Sequence, residues 1–173
     1  MKIEWKPYRG VILFLGKVLL LYFVWNLFYL HVLEGSGFNH LVTTSLAKTS
    51  VALLSLAGFA LESEHGEICV ITFNHNPMVY IGDLCNAVDF FGLFTCFVIA
   101  YPARFWSKVW FIPAGILAIH VLNIVRIVLL VLNLWYNRES FNFNHKYTFI
   151  LFLYGLIFLL WRSWTKRFGS VKA

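Results

Sequence analysis

The chain has 173 residues and a net charge of +6, and 60% of its residues are hydrophobic, 19% aromatic and only 13% charged. Soluble domains carry about 25% charged residues, so this composition argues against a soluble protein and predicts a polytopic membrane protein. The positive charge does not indicate nucleic-acid binding, because the basic residues stand next to apolar segments, as the positive-inside rule describes. We expect residues 1–173 to form a single integral-membrane domain.

Five apolar segments follow one another along the chain, and each but the last is near the ~20 residues that a membrane-spanning helix needs. They are Val11–Leu33, Leu41–Leu61, Leu84–Tyr101, Val109–Trp135 and Tyr147–Trp161. The last reaches that length if His145 and Arg162 are included at its ends. The predicted fold class is therefore all-α, a polytopic transmembrane helical bundle with about four to five membrane-embedded helices. The first segment is too long for the apolar part of a signal peptide, so we expect it to be an uncleaved anchor helix.

Lysine and arginine residues predict the orientation of these segments. The linker before the fourth segment carries Arg104 and Lys108, so it should be cytoplasmic, and so should both termini with their basic clusters. The terminal basic residues are Lys2, Lys6, Arg9, Arg162, Lys166, Arg167 and Lys172. The loop Glu62–Asp83 is acidic and contains no lysine or arginine, so it should be extracytoplasmic, with a short strand over Ile68–Phe73 and a turn over Asn74–Pro77.

The number of crossings depends on the second apolar segment. If Leu41–Leu61 crossed the membrane as well, a cytoplasmic N-terminus would bring the acidic loop to the cytoplasmic side. Because this segment contains Lys48 and several hydroxyl side chains, we favour a helix that lies in, or dips into, the outer leaflet. The alternative is an extracytoplasmic N-terminus with five full crossings.

Arg126 is the most informative single residue, because it stands inside the apolar run Ile119–Val131. A guanidinium at the centre of a bilayer costs about 2.5–3.5 kcal/mol on insertion scales, and such residues usually serve a function. His120, Asn123 and Arg126 recur every three residues, so they form one polar stripe that should face the bundle. Asn133 continues this stripe one heptad later. The two asparagines fit a structural seam between helices, whereas Arg126 is a candidate functional residue.

Two other reactive side chains are expected near the outer face of the membrane. Cys85 opens the third segment, where Asp83 can cap the helix and the helix N-terminus would favour the thiolate. His145 opens the last segment, where Asn142 or Asn144 can cap the helix and the helix dipole would favour a neutral imidazole. Each side chain alone could be structural, but together with the intramembrane arginine they suggest thiol-based acyl transfer.

The cysteine count does not predict a disulfide framework. Cys96 lies in the middle of an apolar segment and is expected to pack in the core. A disulfide between Cys69 and Cys85 on an oxidising face is the alternative, and it would argue against a catalytic Cys85. The sequence contains no H-E-x-x-H and no G-x-S-x-G motif, so neither a zinc protease nor a serine hydrolase of those types is indicated.

The order and settings of three residues resemble the exosortase/archaeosortase family of membrane transpeptidases. Cys85 follows a short strand-like stretch, Arg126 lies in the pentapeptide NIVRI, and His145 opens the last apolar segment. The pentapeptide is similar to the family's N-x-x-R-[IVL] pattern, and the resemblance covers about residues 53–161. The first half is shorter than in full-length members, so the chain resembles a compact version of the family. It also departs from the family after the cysteine, because many members have Ser-Gly where Asn86 and Ala87 stand here.

The resemblance implies a multi-pass enzyme of the inner (plasma) membrane with its active site on the extracytoplasmic face. Cys85 would be the nucleophile, His145 would carry the proton, and Arg126 would stabilise the oxyanion or the thiolate. Alternatively, Arg126 would position the substrate backbone, and a backbone N–H would stabilise the oxyanion. The substrate would be an exported protein with a C-terminal transmembrane sorting tail, which the enzyme would cut and transfer to an acceptor through a thioester.

Membrane lipids are the other expected partner. The sequence indicates no nucleic-acid partner, no cofactor and no metal, and it does not predict the oligomeric state. A function of a different class remains the alternative. In that interpretation the chain is a non-catalytic membrane subunit, such as an assembly factor or a transporter component, and its polar stripe is a structural seam.

Overall fold

The computed structural model describes residues 9–66 and 68–169, so Lys2, Lys6, Glu67 and Lys172 lie outside the described residues. Within these ranges the chain forms α-helices, short 3-10 and π-helical turns, and one three-stranded sheet. The helices are α1 (Arg9–Phe28), α2 (Gly37–Leu56), α3 (Val88–Ala100), α4 (Phe105–Tyr136), α5 (Phe141–Phe143) and α6 (Phe149–Phe168). The predicted fold class, a helical membrane protein with a small strand-containing loop, is confirmed.

Three helical stretches of the described chain are long and apolar enough to cross a membrane, namely Arg9–Leu33, Phe105–Tyr136 and Arg138–Phe168. They contain the first, fourth and fifth apolar segments of the sequence. Helix α2 has 20 residues but is not among these three, and it buries polar side chains at Asn39, Thr43 and Ser50. That α2 lies in the outer leaflet instead of crossing the membrane stays a prediction.

The third apolar segment forms a shorter helix than predicted. Helix α3 has 13 residues, so it is about 20 Å long, less than the ~30 Å hydrocarbon core of a bilayer. The preceding residues Asp83–Cys85 form a separate 3-10 turn, and Ala87 has a left-handed φ of 66°. The predictions that Asp83 caps this helix and that Cys85 lies at its N-terminus are therefore wrong, because Cys85 ends the separate turn and the helix begins at Val88. The N-cap is Ala87, which has no capping side chain, but the preceding Asn86 accepts a hydrogen bond with its Oδ1 from the N–H of Val88 at 3.0 Å.

The last helical stretch begins earlier than predicted. A 3-10 turn (Arg138–Ser140), α5, a π-helical turn (Asn144–Thr148) and α6 follow one another without a break. Asn137 caps this stretch, because its Oδ1 accepts a hydrogen bond from the N–H of Ser140 at 3.4 Å. The prediction that Asn142 or Asn144 caps the helix is therefore wrong, and His145 lies in the π-helical turn rather than in a first helical turn.

The acidic loop folds as an antiparallel sheet. The predicted strand is present as β2 (Cys69–Phe73), and the predicted turn contains Asn74 and His75, which both have positive φ. Such a turn matches the twist of a hairpin. Two further strands, β1 (Glu62–His65) and β3 (Asn76–Ile81), were not predicted, and β2 lies between them.

Two apolar clusters hold these elements together. The first packs the inner face of the sheet against α2 and α4, with Ile71 and Ile81 meeting Leu46 and Ile127. The second cluster packs α3 against α1, α4 and α6 around the buried ring of Phe94. The turn Asp83–Cys85 connects the sheet to α3, so both clusters determine its position. We call the end of the bundle that carries the sheet and this turn the site end.

Candidate active site

Cys85 and His145 meet at the site end, although 60 residues separate them in the chain. The Cys85 Sγ lies 3.8 Å from the Nε2 of His145, and both side chains are half-buried. The His145 ring stacks on Phe141 one helical turn earlier, with ring centroids 5.8 Å apart and an angle of 7° between the planes. A thiol and an imidazole at this separation can exchange a proton after a small closure, and catalytic hydrogen bonds are often long before substrate binds.

Arg126 reaches the same point from α4. Only 5% of the residue is exposed, and its guanidinium is close enough to the Cys85 thiol and the His145 ring for its charge to act on both. Its Nη1 donates a hydrogen bond to Asn123 Oδ1 at 3.2 Å, whereas its buried Nε has no hydrogen-bond partner among the described residues. The guanidinium therefore keeps N–H groups available for an anion that forms beside the thiol.

Asn123 connects the arginine to the cysteine. It is fully buried, and its Nδ2 donates a hydrogen bond to the backbone carbonyl of Cys85 at 2.8 Å while its Oδ1 accepts from Arg126. Both polar ends of this amide are thus used inside the protein. The sequence suggested only a structural seam for Asn123. Its spacing of three residues from Arg126 was the signal that the two side chains share a helix face.

A buried amide network holds the other side of the cysteine turn. Asn86 is fully buried, and its Nδ2 donates hydrogen bonds to Asn39 Oδ1 and, at 3.2 Å, to Thr43 Oγ1 on α2. Asn39 in turn donates a hydrogen bond to the hydroxyl of Tyr29 at 3.3 Å. The residue that departs from the family's usual Ser-Gly pair therefore anchors the Cys85 turn to α2. This role was not predicted from the sequence.

A second cysteine–histidine contact lies under the sheet. The Cys69 Sγ is 3.6 Å from the Nδ1 of His65 and 3.6 Å from the Oγ1 of Thr44. Burial and the positive charge of Lys48 lower the pKa of His65. Cys69 is only 1% exposed, so a substrate cannot reach its sulfur, whereas the half-buried Cys85 can be approached. The structure does not contain the alternative Cys69–Cys85 disulfide, because both thiols are free.

The remaining polar residues of the predicted stripe lie outside this arrangement. His120 packs edge-on against Phe91, with ring centroids 6.4 Å apart, and Asn133 donates a hydrogen bond to Ser140 Oγ at 2.8 Å. Cys96 is buried in the core, in agreement with its expected packing role. Across residues 9–66 and 68–169, no group of three or more His, Cys, Asp or Glu side chains is arranged to bind a metal ion.

The structure thus brings together the three side chains that the sequence singled out, at one point between α4, the cysteine turn and the π-helical turn. The arrangement combines a thiol that can be reached, a base next to it and a buried cation. A thiolate beside an imidazole and a cation is activated as a nucleophile, and a fixed cation can stabilise an oxyanion in a medium of low dielectric constant.

Residues 6–163 match the family model described as Transmembrane exosortase (Exosortase_EpsH). The matched range includes the cysteine turn, the arginine stripe of α4 and the π-helical turn with its histidine. No curated protein and no solved structure matches the chain.

Proposed function

This chain belongs to the transmembrane exosortase family, and we propose that it is a cysteine-dependent transpeptidase that cuts the sorting tails of exported proteins. Membership of this family implies a membrane transpeptidase role and protein sorting. The observation that carries the cysteine-dependent mechanism is the 3.8 Å contact between Cys85 Sγ and His145 Nε2, with the buried guanidinium of Arg126 beside it.

In the proposed reaction His145 takes the proton of the Cys85 thiol, and the sulfur attacks the carbonyl carbon of the substrate peptide bond. The carbonyl oxygen becomes an oxyanion, which the free N–H groups of Arg126 stabilise. His145 then gives its proton to the leaving amine, the C–N bond breaks, and a thioester remains on Cys85. A nucleophile of the acceptor attacks the thioester, and the thiol is released.

The proposed substrate is an exported protein with a C-terminal transmembrane tail, and an apolar groove beside the site supports this choice. The groove has a volume of about 610 Å³ and lies between α4 and the last helical stretch, from Phe143 to Leu159. At 1.5 Å per residue it is about 24 Å long, which approaches the ~30 Å hydrocarbon core that a tail helix must cross. Tyr147 and Thr148 line the end of the groove that is nearest to His145.

We propose that the enzyme lies in the plasma (inner) membrane with its active site on the extracytoplasmic face. Charge distribution supports this orientation. The sheet at the site end contains Glu62 and Glu64 in β1, whereas Arg9, Arg104 and Arg162 stand at the opposite end of the bundle. Positive residues are retained on the cytoplasmic side, so the site end should face outward.

The direct test is co-expression of the chain with an epitope-tagged exported protein that carries an apolar C-terminal helix followed by lysines and arginines. Cys85→Ala should abolish the mobility shift of the tagged protein and leave the abundance of the enzyme in the membrane unchanged. Cys69→Ala and Cys96→Ala are matched controls, because they remove thiols that lie outside the site and should leave processing intact.

Thiol labelling separates this proposal from the alternative of a non-catalytic membrane subunit. In a protein that retains only Cys85, a small iodoacetamide should react faster than in the same protein with Arg126→Leu, because the guanidinium favours the thiolate. Equal labelling rates, together with normal processing by Cys85→Ala, would refute the proposed mechanism and favour a structural polar seam.

A further inference from the structure

A second and larger apolar groove lies at the end of the bundle opposite the candidate active site. Its volume is about 1240 Å³, and α1, α3 and α6 form its walls. The side chains of Phe14, Phe97 and Trp161 line it, and Phe14 stacks on Trp161 with ring centroids 6.0 Å apart. We call it the α1–α6 groove. Because it is far along the helices from Cys85, the proposed reaction does not use it.

The length of the α1–α6 groove fits one leaflet of a membrane. On α1 its lining extends from Gly10 to Tyr22, which is about 18 Å at 1.5 Å per residue. Half of a hydrocarbon core is about 15 Å thick, so the groove can receive the acyl chains of one leaflet, whereas a complete substrate helix would extend beyond it. The groove beside His145 is longer and better suited to such a helix.

Each wall of the α1–α6 groove ends next to an exposed arginine. Arg9 directly precedes the lining residue Gly10, and Arg162 directly follows the lining residue Trp161. Arg104 stands two residues after Pro102, which also lines the groove. All the acidic residues that the structure describes lie toward the site end: Glu34, Glu62, Glu64, Asp83, Asp89 and Glu139. The mouth of the groove is therefore positively charged.

From the apolar walls, the length and the charged mouth we propose that the α1–α6 groove binds an anionic phospholipid of the leaflet at this end. The acyl chains pack against the aromatic side chains, and the headgroup phosphate lies at the end of the groove where Arg9, Arg104 and Arg162 follow or precede lining residues. The same charges would oppose the sorting-tail helix of the proposed function, because the lysines and arginines expected after that helix would lie at this end of the bundle. Basic residues near a membrane surface attract anionic lipids by this mechanism.

The test uses the purified full chain and native mass spectrometry, with titrations of palmitoyl-oleoyl phosphatidylglycerol and of the matching phosphatidylcholine. The wild-type protein should bind phosphatidylglycerol more tightly than phosphatidylcholine. The double variant Arg9→Gln/Arg162→Gln should bind it about 25-fold more weakly, at about fivefold for each arginine near the surface. Lys166→Gln/Arg167→Gln removes the same charge from the same end of α6, but both residues lie beyond the last lining residue, Trp161, so this variant should lose less affinity than Arg9→Gln/Arg162→Gln.

Leu15→Trp tests the groove without a change of charge. Leu15 lines the groove and is 48% exposed, so the larger side chain should occupy the space of an acyl chain and weaken binding of phosphatidylglycerol. The proposal fails if both lipids bind equally, if the two double variants lose the same affinity, or if Leu15→Trp binds as wild type does. Displacement of bound phosphatidylglycerol by an apolar helical peptide with lysines at its C-terminus would instead assign the groove to the substrate tail.

Discussion

Replacement of Arg126 by leucine distinguishes a catalytic arginine from a structural one. The change removes a buried charge, which should relieve about 2.5–3.5 kcal/mol of insertion cost, and it leaves Asn123 Oδ1 without its donor, which costs about 1–3 kcal/mol. The variant should therefore lie between about 0.5 kcal/mol less stable and about 2.5 kcal/mol more stable than wild type. Arg126→Leu should therefore accumulate in the membrane at the wild-type level or above it.

The same substitution should nearly abolish processing. Loss of one oxyanion donor lowers kcat by about 10²–10³-fold in enzymes that act through acyl intermediates, and Arg126 is the buried cation beside Cys85. Arg126→Lys keeps the charge, but its ammonium cannot bind Asn123 and face the sulfur with the planar geometry of a guanidinium. We expect it to lose at least tenfold in rate, an order-of-magnitude figure for a lost positioning contact.

The assay measures two quantities for each variant, the initial rate of tail cleavage in a pulse-chase experiment and the amount of enzyme in the membrane fraction. A structural arginine gives the opposite pattern, in which Lys preserves activity and Leu lowers abundance and activity together. An active and normally abundant Arg126→Leu would contradict the catalytic role.

Three further changes test other parts of the molecule. Gly155 lies in the groove beside His145 with open space around it, so Gly155→Phe should misplace the substrate and reduce the cleavage rate by about tenfold or more. Gly16→Phe, at an equally open position on α1, should leave the rate unchanged. Equal cleavage rates for the two variants would refute a tail in this groove. Ala87 has a left-handed φ of 66°, which is strained for alanine but not for glycine. Ala87→Gly should therefore leave the free energy of unfolding unchanged or raise it by up to about 1 kcal/mol, and a clear decrease in the thermal midpoint would contradict this strain argument. In a background without native cysteines, Glu64→Cys should react with an impermeant maleimide on intact cells, whereas Phe105→Cys should not react. The reversed labelling pattern would place the site end in the cytoplasm.

The long apolar segments were predictable from sequence because hydropathy depends on composition over about 20 residues and hardly on contacts. Val11–Leu33 and Val109–Trp135 lie inside the helical stretches Arg9–Leu33 and Phe105–Tyr136, which have nearly the same extent. It was also predictable that Asn123 and Arg126 lie on the same face of α4, because residues three apart in a helix share a face.

The boundaries beside the site were not predictable, because side chains from distant parts of the chain determine them. Asp83 has the right residue type for an N-cap, but Asn86 turns inward to meet Asn39 and Thr43, and the chain then leaves helical geometry at Ala87. No local propensity contains that information. The strand β1 was missed for a related reason, since its four polar residues become a strand only by pairing with β2.

The hydrogen bonds around Cys85 suggest which part of the site adjusts when substrate binds. The carbonyl of Cys85 is bonded to Asn123 on α4, and the next residue, Asn86, is bonded to α2. The cysteine is therefore held from two helices. His145 lies on a π-helical turn, where the regular hydrogen-bond pattern of the helix is interrupted, and its ring rests on Phe141.

Because the thiol is the better anchored partner, closure of the 3.8 Å gap should occur through the π-helical turn. The groove proposed for the sorting tail includes Tyr147 and Thr148 of that turn, so an occupant of the groove contacts the element that carries His145. Substrate binding and alignment of His145 would then be coupled. A tail that lacks the apolar helix should consequently be cut more slowly even at saturating concentration, because it loses alignment as well as affinity.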